Sequence, residues 1–183
     1  MTEALSQALS VFSRLNELSD GLQHAANLAS STLRTGHKLL ICGNGGSACE
    51  AQHLAGELAG RYKHDRRALA AISLNSDGAV LTCIGNDYRF EDVFARQIEA
   101  IGQRGDLLVV FTTSGHSPNI LRALESAKSL GIASLAFLGR DGGAAIHLAA
   151  HALVVPHHDT ARIQEAHQFL LHCLMDEIEK ELT

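Results

Sequence analysis

Two residues four apart raise the question of chemistry. His53 and Glu57 lie within LLICGNGGSACEAQHLAGEL, residues 39–58. On a helix, positions i and i+4 share a face about 6 Å apart in rise. An imidazole and a carboxylate so placed suit two ligands of one metal, an acid–base pair, or a plain surface hydrogen bond. Just upstream, an apolar run stops at Gly43-Asn44-Gly45-Gly46-Ser47. Glycine permits positive φ and lets backbone N–H groups approach a ligand closely. A helix beginning near Ser47 would aim free N–H groups and its dipole at an anion. A tight turn with a serine N-cap accounts for the same residues. GNGGSA is neither a dinucleotide fingerprint nor a Walker A loop.

A second polar stretch, TTSGHS, covers Thr112, Thr113, Ser114, Gly115, His116 and Ser117, followed by Pro118. Pro118 fits a first helical turn with Ser117 as N-cap. Capping needs one hydroxyl. Four hydroxyls with backbone N–H groups suit a phosphate without any lysine. Other small polar groups sit in SLNSDG and in Asn86-Asp87, which closes a short helix and is explained equally by a C-cap and turn. GRDGG, residues 139–143, reads as a turn. Near the end, ARIQEAHQFLLHCLMDEIEKEL carries Gln164, His167, Gln168, His172 and Cys173 among apolar positions. Gln164 and His172 lie about 12 Å apart along a helix axis. One ion takes both only if the side chains lean together or a neighbouring chain contributes. His167 reads as a capped or partly buried imidazole, and His147, His151, His157 and His158 as loop residues.

The elements that must hold these groups follow from hydrophobic rhythm. Residues 2–17 and 19–34 carry helical apolar stripes and few β-branched residues. Short apolar runs then recur at 38–42, 69–73, 106–111, 132–138 and 151–156, each bounded by Gly, Asp or Pro. Helical stretches separate them at about 47–59, 77–84, 89–101, 118–129 and 142–149, and a last helix covers about 160–182. Alternating strands and helices, with strands apolar on both faces, predict a parallel sheet between helical layers. Right-handed crossovers make it a doubly wound α/β sandwich, with ligands at the carboxyl ends of the strands.

Composition narrows the class. A chain of 183 residues, 46% hydrophobic and 19% charged, suits one globular domain. A net charge of −5 argues against a nucleic-acid partner. The basic stretch Arg61 to Arg67 reads as a solvated loop or an anion contact. The N-terminus lacks the apolar segment of a signal peptide, and no apolar run is long enough for a membrane span. Cys42, Cys49, Cys83 and Cys173 form no metal or redox spacing. They read as free thiols packed as small apolar residues in a reducing cytosol, so a cytoplasmic location is expected.

Taken together, CGNGGSACEAQHLAGELAGRY, GNDYRFEDVFARQIEAIGQRGDLLVVFTTSGHSPNI, GRDGG and ARIQEAH with a histidine five residues on resemble phosphoheptose isomerases. These are sugar-isomerase (SIS) domain proteins that interconvert sedoheptulose 7-phosphate and D-glycero-D-manno-heptose 7-phosphate. The resemblance runs nearly end to end and implies a single flavodoxin-like SIS domain over 1–183. That fold is a three-layer αβα sandwich on a five-stranded parallel sheet, with residues 1–35 as a helical extension for oligomer packing. It implies phosphate contacts from Thr112, Thr113, Ser114 and Ser117, and glycine-loop contacts from Asn44, Gly45, Gly46 and Ser47. Arg61, Asn86, Asp87 and Gln164 would also meet substrate. One zinc per subunit would be held by His53, Glu57, Gln164 and His172, with Glu57 and His172 as general base and acid. It further implies a homotetramer with active sites between subunits. His116 stands where the family has asparagine, adding bulk and an ionisable ring. A non-enzymatic relative that binds the replication initiator shares the fold and the ARIQE helix. It lacks counterparts of Glu57 and His172, both present here.

Overall fold

The computed structural model describes residues 1–182. Helices α1 (Thr2–Arg14) and α2 (Ser19–Arg34) come first, joined by a 3₁₀ turn at Leu15–Leu18. The expected first helix thus ends early, and its last residues tighten into that turn. Five strands follow: β1 (Leu39–Gly43), β2 (Ala71–Ser73), β3 (Leu107–Thr112), β4 (Ala133–Gly139) and β5 (His151–Val155). All pair in parallel, in the order β2-β1-β3-β4-β5. The connecting helices are α3 (Gly46–Ala59), α4 (Gly78–Asp87), α5 (Ala95–Ile101) and α6 (Pro118–Ser129), with α7 (Thr160–Leu182) last.

The sheet separates two cores, as expected for strands buried on both faces. Alternate strand residues divide between them. Leu39, Ile41, Leu107, Val109 and Phe111 join the α1, α2, α3 and α7 side. Leu40, Cys42, Leu108, Val110 and Leu138 join the α4, α5 and α6 side. The period of two along a strand makes this division unavoidable.

Several expected boundaries shift. The run at 69–73 forms only a three-residue edge strand, because the Leu69 N–H already bonds the Leu58 carbonyl at the end of α3. The stretch 89–101 breaks into a 3₁₀ turn at Phe90–Asp92 and the short α5. At 142–149 there is only a 3₁₀ turn, Ala144–His147, because Gly142 and Gly143 both take positive φ just before it. Helix α4 starts after Asp77, whose carboxylate caps Ala79 and Val80, and runs on through Asp87. Asn86 and Asp87 therefore lie in its last turn rather than beyond it. His151 is the first residue of β5, not a loop residue, and its ring bonds the Gly21 carbonyl. Cys42 is buried, and burial pushes its thiol pKa far up. Cys49 and Cys83 are exposed, contrary to the expectation of packed thiols. Among the described residues, no helix is long and apolar enough to cross a membrane.

Candidate active site

In this strand order the winding of the sheet reverses between β1 and β3, and the loops leaving those parallel strands diverge to open a crevice. That crevice is a cavity of about 220 Å³. The loop after β1 (Asn44, Gly45, Gly46, Ser47), the loop after β3 (Thr112, Thr113, Ser114, Ser117) and the start of α7 (Thr160, Gln164) line it. None of these residues carries a charge. The hydroxyls and the first turns of α3, α6 and α7 supply donors suited to an anion.

Each loop is fixed by side-chain hydrogen bonds. Asn44 and Asn119 exchange two amide hydrogen bonds of 2.8 Å, tying the glycine loop to α6. Asn75 does the same for Gly43 with a donor and an acceptor. Gly45, at φ 58°, is the N-cap of α3, so Ser47 is not the cap expected of it and sits inside the helix, buried. Ser117 is the N-cap of α6, but its hydroxyl makes no capping bond. Thr112 Oγ1 accepts from the Gly115 N–H, and Gly115 takes φ 65°. A β-carbon on Gly115 would lie 2.0 Å from the Gly142 carbonyl oxygen. GRDGG, to which the sequence assigned no role, is therefore the backing of the hydroxyl loop.

Along the crossing of α3 and α7 lies the second part of the site. His53 Nε2 is 2.9 Å from Glu57 Oε1, and His172 Nε2 is 3.6 Å from the same oxygen. The two Nε2 atoms are 3.3 Å apart. Two residues from one helix and one from another thus converge, each with an atom within 4.8 Å of the others. Glu57 Oε2 is buried and has no hydrogen-bond partner among the described residues. Two imidazoles and a carboxylate are the donor set of a zinc site with an open position, and an oxygen left unsatisfied by the protein fits such a site.

Neighbours hold this triad. Tyr62 stacks on the His172 ring at 5.7 Å, and Lys63 lies over Tyr62 and pairs with Asp176. Arg66 is buried against Glu179 at 3.1 Å and donates to the carbonyls of Glu57 and Leu58. The stretch read as a solvated or anion-binding loop is, at Lys63 and Arg66, a set of ion pairs that pins the end of α3 to α7. The Gln168 amide nitrogen lies 3.1 Å from His172 Nε2 and 3.3 Å from His53 Nδ1. Sequence reasoning gave Gln168 no part. Its signal is the spacing 164, 168, 172, one residue per turn on one helix face. Gln164 lies one turn earlier, in the anion cavity, against Gly46. Thr160 was also missed, because only the fold brings the start of α7 to the loops. Arg61 is exposed just after α3, and Asn86 bonds Asp87 at the end of α4. Neither group lines the cavity.

A family model described as SIS domain matches residues 5–139. The phosphoheptose isomerase of Helicobacter pylori strain P12 is 50% identical over 169 residues, covering 92% of this chain and 88% of the relative. The chain belongs to the phosphoheptose isomerase family of SIS-domain proteins. The phosphoheptose isomerase of Aliarcobacter butzleri is 45% identical and spans 99% of this chain and 96% of its own. Solved family structures from Neisseria gonorrhoeae and Francisella tularensis superpose with TM-scores of 0.93 and 0.94 at 38% and 37% identity. Each covers 98% of this chain and 96% of the other. The family's α/β sandwich on a five-stranded parallel sheet is the fold described above.

Proposed function

We propose that the chain is a ketose–aldose isomerase interconverting sedoheptulose 7-phosphate and D-glycero-D-manno-heptose 7-phosphate, the first step toward nucleotide-activated heptose. The observation that carries this is the pairing of an uncharged, hydroxyl-lined anion cavity with a His53–Glu57–His172 triad farther along α7. Gln164 and His172 are separated by about 12 Å of helix. An extended seven-carbon phosphate ester spans a length of the same order, so phosphate in the cavity puts C1 and C2 toward the triad.

The phosphate serves as an anchor remote from the reacting carbons, and its binding energy orients them. Ser47, Thr112, Thr113, Ser114 and Ser117 would hold it, with the backbone of Asn44, Gly45 and Gly46. Arg61, Asn86 and Asp87 are assigned to the sugar on the family resemblance alone. Glu57 takes the C1 proton of the ketose and returns it to C2, giving an enediol between the two steps. His172 moves the accompanying proton between the oxygens on C1 and C2. Zinc, one per subunit, would be held by His53, Glu57 and His172, with Gln164 as the fourth ligand that the resemblance implies. When bound it polarises the carbonyl and hydroxyl oxygens. The chain would assemble as a cytoplasmic homotetramer, as the resemblance implies; Leu5, Leu9 and Phe169, apolar side chains left exposed on α1 and α7, support self-association. The presence of Glu57 and His172 favours catalysis over binding of the replication initiator.

The test is incubation of metal-analysed protein with sedoheptulose 7-phosphate, followed by NMR, with and without chelator. Aldoheptose formation lost on chelation and restored by zinc is the expected result. Formation indifferent to chelation would remove the metal from the chemistry, and no product from folded, zinc-loaded protein would overturn the isomerase.

A further inference from the structure

Beneath the anion cavity lies a pair of buried polar groups that the isomerisation does not use. Glu50, one turn beyond Ser47 on α3, is 5% exposed, and His167 on α7 is fully buried. Glu50 Oε2 and His167 Nδ1 face each other at 3.9 Å, and neither atom has a hydrogen-bond partner among the described residues. The other ring nitrogen fixes the tautomer. His167 Nε2 is 3.1 Å from the Leu138 carbonyl oxygen. A carbonyl only accepts, so Nε2 carries a proton and donates it.

Three arrangements then remain: an imidazolium beside a carboxylate, a carboxylate facing the lone pair of an imidazole, or a neutral pair of imidazole and carboxylic acid. The surroundings favour the neutral one. The rings of Phe111 and Phe137 lie 6.1 Å from the His167 ring, and the rest of this core is apolar. Burial penalises both charges, raising the Glu50 pKa to about 8 and lowering that of His167 to about 4. The ionisable group that meets Glu50 from α7 is His167; on α3 the Ser47 hydroxyl, one turn before Glu50, favours the charged carboxylate, against the larger effect of burial. His53, one turn further along α3, is engaged with Glu57.

We infer that Glu50 is kept as a neutral carboxylic acid with its proton directed at His167 Nδ1, and that this neutrality is a condition for anion binding in the cavity above. The second half rests on the reading of that cavity as the phosphate site. Ser47 connects the two, since it lines the cavity and stands one turn before Glu50 on α3. No cation lines the cavity to offset an ionised carboxylate placed directly behind Ser47. Linkage makes the effect reciprocal: a bound dianion holds the proton on Glu50, and loss of that proton weakens the dianion. Glu50 is thus a positioning residue, acting on the ligand through Ser47.

The experiment compares wild type with Glu50→Gln, whose amide can donate to Nδ1 but cannot ionise. Difference infrared spectroscopy near neutral pH should show the carbonyl stretch of a protonated carboxyl in wild type only. Calorimetric affinity for methyl phosphate, a dianion above about pH 7, is then followed to alkaline pH. Wild type should weaken roughly tenfold per pK unit of coupling as the infrared band disappears, while Glu50→Gln stays level. Absence of the band at neutral pH, or parallel affinity profiles in the two proteins, would overturn the inference. If neither protein binds methyl phosphate at any pH, the cavity reading fails and takes the coupling with it, while the infrared band still reports the proton. Should Glu50→Gln not fold, the wild-type band and wild-type affinity must still change over the same pH range, and a mismatch overturns the coupling.

Discussion

Gly46 and Gln164 touch where α3 crosses α7: a β-carbon built on Gly46 would lie 2.5 Å from the Gln164 amide nitrogen. The loop after β1 and the first turns of α7 thereby form one wall of the cavity. The crowded atom ends a flexible side chain, so Gly46→Ala should displace the amide rather than unfold the protein. The expected stability loss is about 1–3 kcal/mol. Turnover of sedoheptulose 7-phosphate should fall about 10–100-fold, because the amide and the loop lose register. Thermal melts and steady-state kinetics on one preparation separate the two effects. Unchanged kinetics would take Gln164 out of the site.

Glu57 is the acid–base residue of the proposed reaction. Glu57→Gln keeps the shape and removes the base. Turnover should drop by about 10²–10⁴, the usual worth of a positioned general base. Metal analysis of the same sample distinguishes loss of the base from loss of zinc. Full activity would rule Glu57 out as the base.

The Asn44–Asn119 amide exchange makes a double-mutant prediction. Asn119 is 2% exposed. Asn44→Ala should cost about 1–3 kcal/mol, because it leaves the Asn119 amide buried and unpaired. Asn44→Ala combined with Asn119→Ala should cost less than the sum of the single changes. Urea unfolding measures the cycle, and strict additivity would show that the two amides do not depend on each other.

Stability should depend on pH through Glu50 and His167. Glu50 rises from 4.5 to about 8 on folding, so folding favours its protonated form. Its contribution is complete below about pH 4.5 and is lost as pH rises through 8. His167 falls from 6.5 to about 4, so its contribution is complete above about pH 6.5 and is lost as pH falls toward 4. The melting temperature should therefore decline on both sides of the interval between about pH 4.5 and 6.5. Glu50→Gln should abolish the decline on the alkaline side only. A persisting alkaline decline in that variant would assign it to other groups.

Leu5 and Leu9 are 58% and 62% exposed on α1, and Phe169 is 44% exposed on α7. An apolar face of this kind is expected to be covered in the proposed tetramer. Leu9→Asp should leave the monomer fold intact, since the side chain is outside the core, and shift the assembly to smaller species in light scattering. An unchanged mass would place the tetramer contacts elsewhere.

The sequence by itself determined the layered architecture, the position of the two polar loops and the types of the reacting side chains. Apolar runs too short for helices, separated by amphipathic stretches, can only be buried in a covered parallel sheet. The hydroxyl loop was legible because four hydroxyls and a glycine within six residues before Pro118 exceed what a cap requires. Short elements were less legible. The 3₁₀ turns at Phe90–Asp92 and Ala144–His147 depend on glycine conformations and packing that a period of 3.6 does not encode.

Only the tertiary structure decided which residues act together. The crossing of α3 and α7 brings His53 and Glu57 to His172, 119 and 115 positions away. It also sends Gln164 to the cavity and Gln168 to the histidines. The same crossing buries Glu50 against His167 and Arg66 against Glu179. Spacing along one helix gives the face a side chain occupies, but not the partner it meets. Partners are set by the angle and register of two helices packed on one sheet, and those depend on the whole core rather than on any local stretch.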